Sequence, residues 1–340
     1  MRVTFLTPHI NISGGVKIVL GYADRLAGRG YRVTVICPQP IYPKRLLMNL
    51  LKYKPDWTEV AAEIKYVPSY DEKYIPEADI VVATAWQTAP CVQDYSSRKG
   101  RKFYFIQHYE SLYHGDKKKV DETYLYPIKK IVVSNWLKEI LKEKFNADSE
   151  LIVNPIDSSV FYPTRKTYNE NKRICMLYHS LNWKGIPDGI KAFEMAQQEH
   201  PETQLVMFGA RNRDVDIDCE YHCRPSSDEL RGIYNSCDIF LCPSWREGFG
   251  LPSAEAMACK CALVTTDNGG CRDYAIHGKT ALVSPPKNPE LLAENLVRLL
   301  SDEDLLRQIA QNGYEHIKQF TWDEAVSKME KIFLEELGTK

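Results

Sequence analysis

Residues 244–258 read SWREGFGLPSAEAMA and follow the apolar run CDIFLCP at 237–243. The run closes on a proline, the next stretch carries two glycines and a proline, and AEAMA consists of good helix formers, so the passage predicts strand, loop, helix. Gly248 and Gly250 let backbone approach a ligand closely, and Pro252 suits a first helical turn, where its missing N–H costs nothing. A helix opening here offers free N–H groups to an anion. Two acids, Glu247 and Glu255, bracket that surface. Either Glu255 complements the helix dipole and Glu247 is a solvated loop acid, or both accept hydrogen bonds from sugar hydroxyls while the amides between them hold a phosphate. A nucleotide sugar presents both kinds of group.

The whole chain sets the bounds of this reading. Its 340 residues suffice for two domains of similar size, each burying its own core. With 44 basic and 45 acidic residues the formal net charge is -1, so no global positive field gathers nucleic acid. Hydrophobic residues make up 44% and charged residues 26%, a mixture that is neither disordered nor membrane-embedded. No apolar run approaches the ~20 residues of a spanning helix, and Met1 leads into a strand-like RVTFLTP instead of a signal peptide. A cytoplasmic location is the expectation. Ten cysteines are scattered through apolar segments, which reads as buried reduced thiols. The cluster DCEYHC at 218–223 offers Cys219, His222 and Cys223 but lacks a second ligand cluster, so no metal site is expected there.

In chain order, RVTFLTP, a helix with apolar residues at Val16, Val19, Leu20, Ala23, Leu26 and Ala27, and YRVTVICP form an opening β-α-β unit. Gly14 and Gly15 at its first strand-to-helix turn serve either a tight turn or a backbone anion site. The segment IYPKRLLMNLLKYKPDW at 41–57 reads as an amphipathic helix rich in Lys44, Arg45, Lys52 and Lys54. The plainer expectation is that its apolar side packs on the domain core; the other is that it lies on an anionic membrane surface. ADIVVATAW, KFYFIQ and KKIVVS are further strands, and 135–145 a helix, so the loops at 86–89 and 107–115 stand at the carboxyl ends of a parallel sheet, where sites form. His108 lies in the second loop. The unpatterned stretch 154–173 is a linker. The second half repeats the alternation through ICMLYHS, LNWKG with Lys184, a helix over 187–199, QLVMFGA, a capping box from Ser226 to Glu229, CALVTT, DNGG at 267–270, TALVSPP and three helices.

The two glutamates separated by seven residues, together with Lys184 beside Gly185, the turn that opens the linker and DNGG, resemble glycosyltransferase family 4. These are retaining enzymes of the GT-B fold. The likeness spans nearly the whole chain, strongest over 184–280 and weakest over 41–73. It implies an α/β fold of two Rossmann-like parallel-sheet domains facing each other across a cleft: an acceptor-side domain at 1–155, a nucleotide-sugar domain at 156–320, and a last helix at 321–340 packing back on the first. The implied reaction is retaining transfer of a hexosyl or deoxyhexosyl group from a nucleoside-diphosphate sugar to an acceptor hydroxyl, in glycan, cell-surface polysaccharide or glycolipid synthesis. No cofactor or metal is required.

By resemblance His108 and Glu247 are the catalytic pair that contacts the donor sugar, with His108 preferred to His114. Lys184 binds the diphosphate, Glu255 the ribose, and Arg224, beside Pro225, the base. Gly14, Gly15, Arg246, Gly248, Phe249, Gly250 and Leu251 complete the donor set, with Lys17 as a nearby cation and Tyr109 and Glu110 toward the acceptor. Implied partners are the nucleotide-sugar donor and a sugar or lipid-linked acceptor, with no nucleic acid and with peripheral contact of 41–57 at the inner face of a membrane. The family commonly has an arginine six residues before its lysine; here that position is Tyr178, leaving His179, Arg211 and Arg246 as candidates for the second charge. A nucleotide-sugar epimerase, an inverting transferase and a binding module without turnover stay open as alternatives.

Overall fold

The structure is a computed structural model, and it describes residues 1–58, 60–113, 115–164, 168 and 170–338. His114 lies outside the described residues. The chain divides into two compact units, one of Met1–Asn154 with Asp323–Lys340 and one of Pro155–Trp322.

In the first unit the strands are β1 (Arg2–Leu6), β2 (Arg32–Pro38), β3 (Glu63–Val67), β4 (Ile80–Ala83), β5 (Arg101–Ile106), β6 (Lys129–Val132) and β7 (Glu150–Leu151). They pair in parallel in the order β3-β2-β1-β4-β5-β6-β7. IVVA in β4 is buried throughout, as a strand covered on both faces must be. Strand order reverses between β1 and β4, which opens a crevice at their carboxyl ends. Helix α1 (Gly14–Gly28) starts there, capped by the Ser13 hydroxyl, which accepts from the Val16 N–H at 3.3 Å. Helices α2 (Tyr42–Leu50), α3 (Ala89–Asp94), α4 (Lys117–Leu125) and α5 (Asn135–Phe145) follow.

The expectation that 41–57 packs its apolar side on the core is corrected. Helix α2 ends at Leu50 and none of its residues is buried; Ile41, Tyr42, Leu46, Leu47, Leu50 and Leu51 are all exposed. Its contact with the sheet runs through polar atoms instead, Asn49 exchanging side-chain hydrogen bonds with the backbone of Tyr66 at 2.9 Å.

The second unit holds β8 (Arg173–Leu177), β9 (Gln204–Gly209), β10 (Glu220–Cys223), β11 (Ile239–Cys242), β12 (Ala262–Thr266) and β13 (Leu282–Ser284), in the order β10-β9-β8-β11-β12-β13 and again all parallel. Its helices are α6 (Ile186–Glu199), α7 (Ser227–Ser236), α8 (Leu251–Ala258), α9 (Pro289–Ser301) and α10 (Glu303–Ile317). The capping box that opens α7 is complete, with both the Ser226 and the Glu229 side chains bonded to backbone. Here the order reverses between β8 and β11. The cysteine-histidine cluster is largely the edge strand β10, with His222 bonded to Glu220 at 2.6 Å.

The last helix, α11 (Trp322–Leu337), packs in the first unit. Phe333, fully buried, meets Phe103 of β5 edge-on at 4.8 Å, a contact worth ~1.5–3 kcal/mol from burial alone. Among the described residues no helix is long and apolar enough to cross a membrane.

Candidate active site

The reversal between β8 and β11 places two loops side by side in the second unit, 178–185 after β8 and 243–250 after β11. Lys184 Nζ and Glu247 Oε1 meet there at 2.7 Å, with side chains 18% and 11% exposed. Backbone geometry brings them together. Gly185 has φ 63°, and a Cβ on it would lie 2.2 Å from the Pro243 carbonyl oxygen, so only glycine lets the lysine loop close on β11's end. The Trp245 N–H donates to the Trp183 carbonyl at 2.7 Å and its indole N–H to Asp188 at 2.7 Å, stitching the loops together. Glu247 is held from the other side, its N–H donating to the Asn268 carbonyl at 2.9 Å.

The glycines serve close packing as well as approach. Gly250 has φ 89°, and a Cβ there would meet the Tyr274 hydroxyl at 2.6 Å; that hydroxyl donates to the carbonyls of Phe249 and Gly250 at 2.9 and 3.0 Å. Gly270 of DNGG lies against Gly248 and Phe249. The Phe249 ring is a core group, buried edge-on against Tyr274 at 5.1 Å, so only its backbone belongs to the site. Helix α8 opens at Leu251 with Pro252 in its first turn and no side-chain cap; the Ser253 and Ala254 N–H groups donate to the Gly250 carbonyl at 3.1 and 3.4 Å, which leaves the Leu251 N–H to a ligand or water. Glu255 stands in the second turn of α8, buried, and accepts from the Tyr234 hydroxyl at 3.4 Å. Lys184, Ser244, Glu247, Gly250, Pro252 and Ser253 line a recess at this place.

Of the candidate second cations, Arg246 donates to the neighbouring Trp245 carbonyl at 2.8 Å. It also exerts a weak pull on Asp267, whose carboxyl is held below its usual range chiefly by two bonds from Arg272 at 2.8 and 2.9 Å. Tyr178 is turned away into the core, its hydroxyl accepting from the Asp214 N–H at 2.9 Å. This bond also sets Asp214 beside the start of the β8 loop. His179 is half-buried and its pKa lies below the usual 6.5, first from burial and then from Lys184, with Glu247 opposing and Arg211 adding to the decrease. Arg224 follows β10 with φ 53°, an unusual conformation for a side chain of its size, and its N–H donates to the Gly209 carbonyl at 2.7 Å.

In the first unit, Gly14 and Gly15 form the first turn of α1, and a Cβ on Gly15 would lie 3.4 Å from the Gln107 amide nitrogen. The glycine turn and the loop carrying His108 are thus neighbours. His108 meets Tyr113 edge-on at 6.2 Å. Tyr109 and Glu110 are engaged by groups of their own unit. Tyr109 is buried beside Tyr124 and Phe145. Glu110 accepts from the Trp86 N–H at 2.9 Å and the Tyr104 hydroxyl at 3.3 Å, and burial pushes its carboxyl up to about 7 against the opposing pull of those two donors. Among the described residues no cluster of three or more histidine, cysteine or acidic side chains is placed to hold a metal ion.

Residues 162–316 match the family model described as Glycosyl transferases group 1. An uncharacterised glycosyltransferase of Methanocaldococcus jannaschii is 27% identical over 209 residues, covering 60% of this chain and 59% of the relative. The capsular polysaccharide biosynthesis glycosyltransferase CapM of Staphylococcus aureus is 27% identical over 236 residues, 61% of this chain and 60% of the relative. The matches thus span about three-fifths of those relatives' lengths. Sucrose-phosphate synthase of Thermosynechococcus elongatus superposes with TM-score 0.81 at 16% identity over 99% of both chains. Anabaena HepE, solved in complex with UDP and glucose, does so with TM-score 0.77 at 14% identity over 98% of this chain and 99% of its own. At such identities the likeness establishes the fold, which is GT-B.

Proposed function

We propose that this chain, a GT-B glycosyltransferase carrying a group 1 domain over 162–316, transfers a sugar from a nucleoside-diphosphate sugar to an acceptor hydroxyl with retention at the anomeric carbon. The observation that carries the reading is the Lys184–Glu247 pair at 2.7 Å on the carboxyl edge where strand order reverses. As the glycosidic bond breaks, negative charge develops on the leaving diphosphate. The Lys184 ammonium and the Leu251 N–H at the start of α8 are fixed donors for that charge. Glu247 accepts from hydroxyls of the donor sugar. The reading invokes no metal. The UDP and glucose bound by HepE support a uridine nucleotide, and the printed role of CapM supports a glycan acceptor.

The finer proposal of membrane contact rests on α2. Its exposed leucines and Tyr42 share one short stretch with exposed Lys44 and Lys52, an arrangement that suits an anionic bilayer surface. Sedimentation with anionic vesicles checks this, and Leu47→Glu with Leu50→Glu is expected to abolish it.

Incubation with UDP, GDP, dTDP and ADP sugars and an acceptor panel, with the anomeric product assigned by NMR, tests the main reading. Retained configuration is expected; an inverted product assigns another GT-B chemistry, and nucleotide binding without transfer assigns a binding module.

A further inference from the structure

The loop after β8 holds an imidazole that the proposed chemistry leaves unused. His179 Nδ1 accepts from the Leu181 N–H at 3.1 Å, so the ring's hydrogen resides on Nε2. Among the described residues nothing accepts from Nε2, and the residue is half-buried. The charged groups that face it come from three loops: Lys184 from its own, Glu247 from the loop after β11, and Arg211 from the loop after β9. Two of the three are cations. A second proton would have to enter at Nδ1 and would set two N–H groups against each other, while burial and both cations already oppose it.

We propose that His179 is a neutral hydrogen-bond donor, through Nε2–H, to the anionic group that binds beside Lys184. This rests on the nucleotide-sugar reading of the same site. The missing cation at Tyr178 is then not replaced by another cation. A fixed dipole stands beside it, contributing direction where Lys184 contributes charge. Loss of a donor whose partner is a charged phosphate oxygen lowers affinity by about tenfold or more.

The test is calorimetric titration of the full chain with UDP-glucose, whose diphosphate does not titrate near neutrality, at pH 6.5 and 7.5 in two buffers of different ionisation enthalpy. The wild type is expected to bind without proton uptake. His179→Ala should weaken binding about tenfold, and His179→Gln, which keeps an N–H donor near Nε2, should restore most of it, with circular dichroism confirming the fold of each. Unchanged affinity in His179→Ala overturns the proposal, and so does uptake of a proton that His179→Ala abolishes. Lys184→Ala separates the two levels: if it binds like wild type while His179→Ala does not, the site reading fails and the histidine contact stands. If UDP-glucose, GDP-mannose, dTDP-glucose and ADP-glucose all fail to bind the wild type, both fail.

Discussion

Glu110 and Glu247 are both acids set at the carboxyl edge of a parallel sheet, one in each unit, and their surroundings differ in one respect. Glu247 has an ammonium in contact at 2.7 Å, whereas among the described residues Glu110 has only neutral donors, the Trp86 N–H and the Tyr104 hydroxyl. An ionised carboxylate removed from water needs a countercharge or several hydrogen bonds. Two neutral bonds do not offset the burial of Glu110, and its carboxyl rises to about 7. The lesson is that position at a sheet's carboxyl edge does not by itself make an acid a ligand. Glu110 fastens the loop at 107–113 to the loop after β4 as part of the scaffold, while Glu247 has a charged partner that a ligand can compete for.

The comparison breaks most visibly if the partner is removed. Lys184→Ala and Glu247→Ala are each expected to lower sugar transfer by about 10²–10³ in kcat, with the fold retained by circular dichroism. Full activity in either would place the site elsewhere.

The next effect belongs to Glu110 and is read in stability. Its folded carboxyl titrates at about 7 against 4.5 for the ordinary group, so the folded state holds the proton that the unfolded state releases first. The stability it contributes is complete below about pH 4.5, declines as pH rises through 7 and is level above, a total of about 3 kcal/mol by linkage. Glu110→Gln should flatten that part of the chemical-denaturation profile between pH 5 and 8; an unaltered slope would show that the carboxyl titrates normally. The smallest effect concerns the frame around Glu247. Gly250→Ala forces a φ of 89° and a clash with Tyr274, and should cost ~1–2 kcal/mol in urea denaturation while weakening nucleotide-sugar binding. Unchanged stability would mean the turn is not strained.

These contrasts mark how far the sequence could be read. The strands that are continuous apolar runs, such as IFLC of β11 and ALVTT of β12, and the helix signals at Ser226 and Pro252 were legible because burial on both faces and capping leave local traces. Glu247 and Lys184 were legible as a spacing, though not as an ion pair. Strand β3 was missed because its exposed Glu63 and Lys65 interrupt the apolar pattern, and helix α4 because KKKVDETYL has too weak an apolar face. β10 was hidden by residue types that suggest metal ligation. Helix α2 showed its amphipathic period plainly, but no local pattern tells whether an apolar face is covered. The partners of Glu110 were illegible for the same reason: Tyr104 and Tyr124 are supplied by tertiary packing. Tyr178 was read as an absent cation, when its hydroxyl in fact anchors the loop at Asp214.

The central claim, that Lys184 and Glu247 form the donor site, is tested most directly by titrating UDP-glucose into the wild type and into Lys184→Ala at one pH and salt concentration. The expected result is an affinity loss of tenfold or more in a variant that melts as a single folded species. Equal affinity in the two proteins would contradict it.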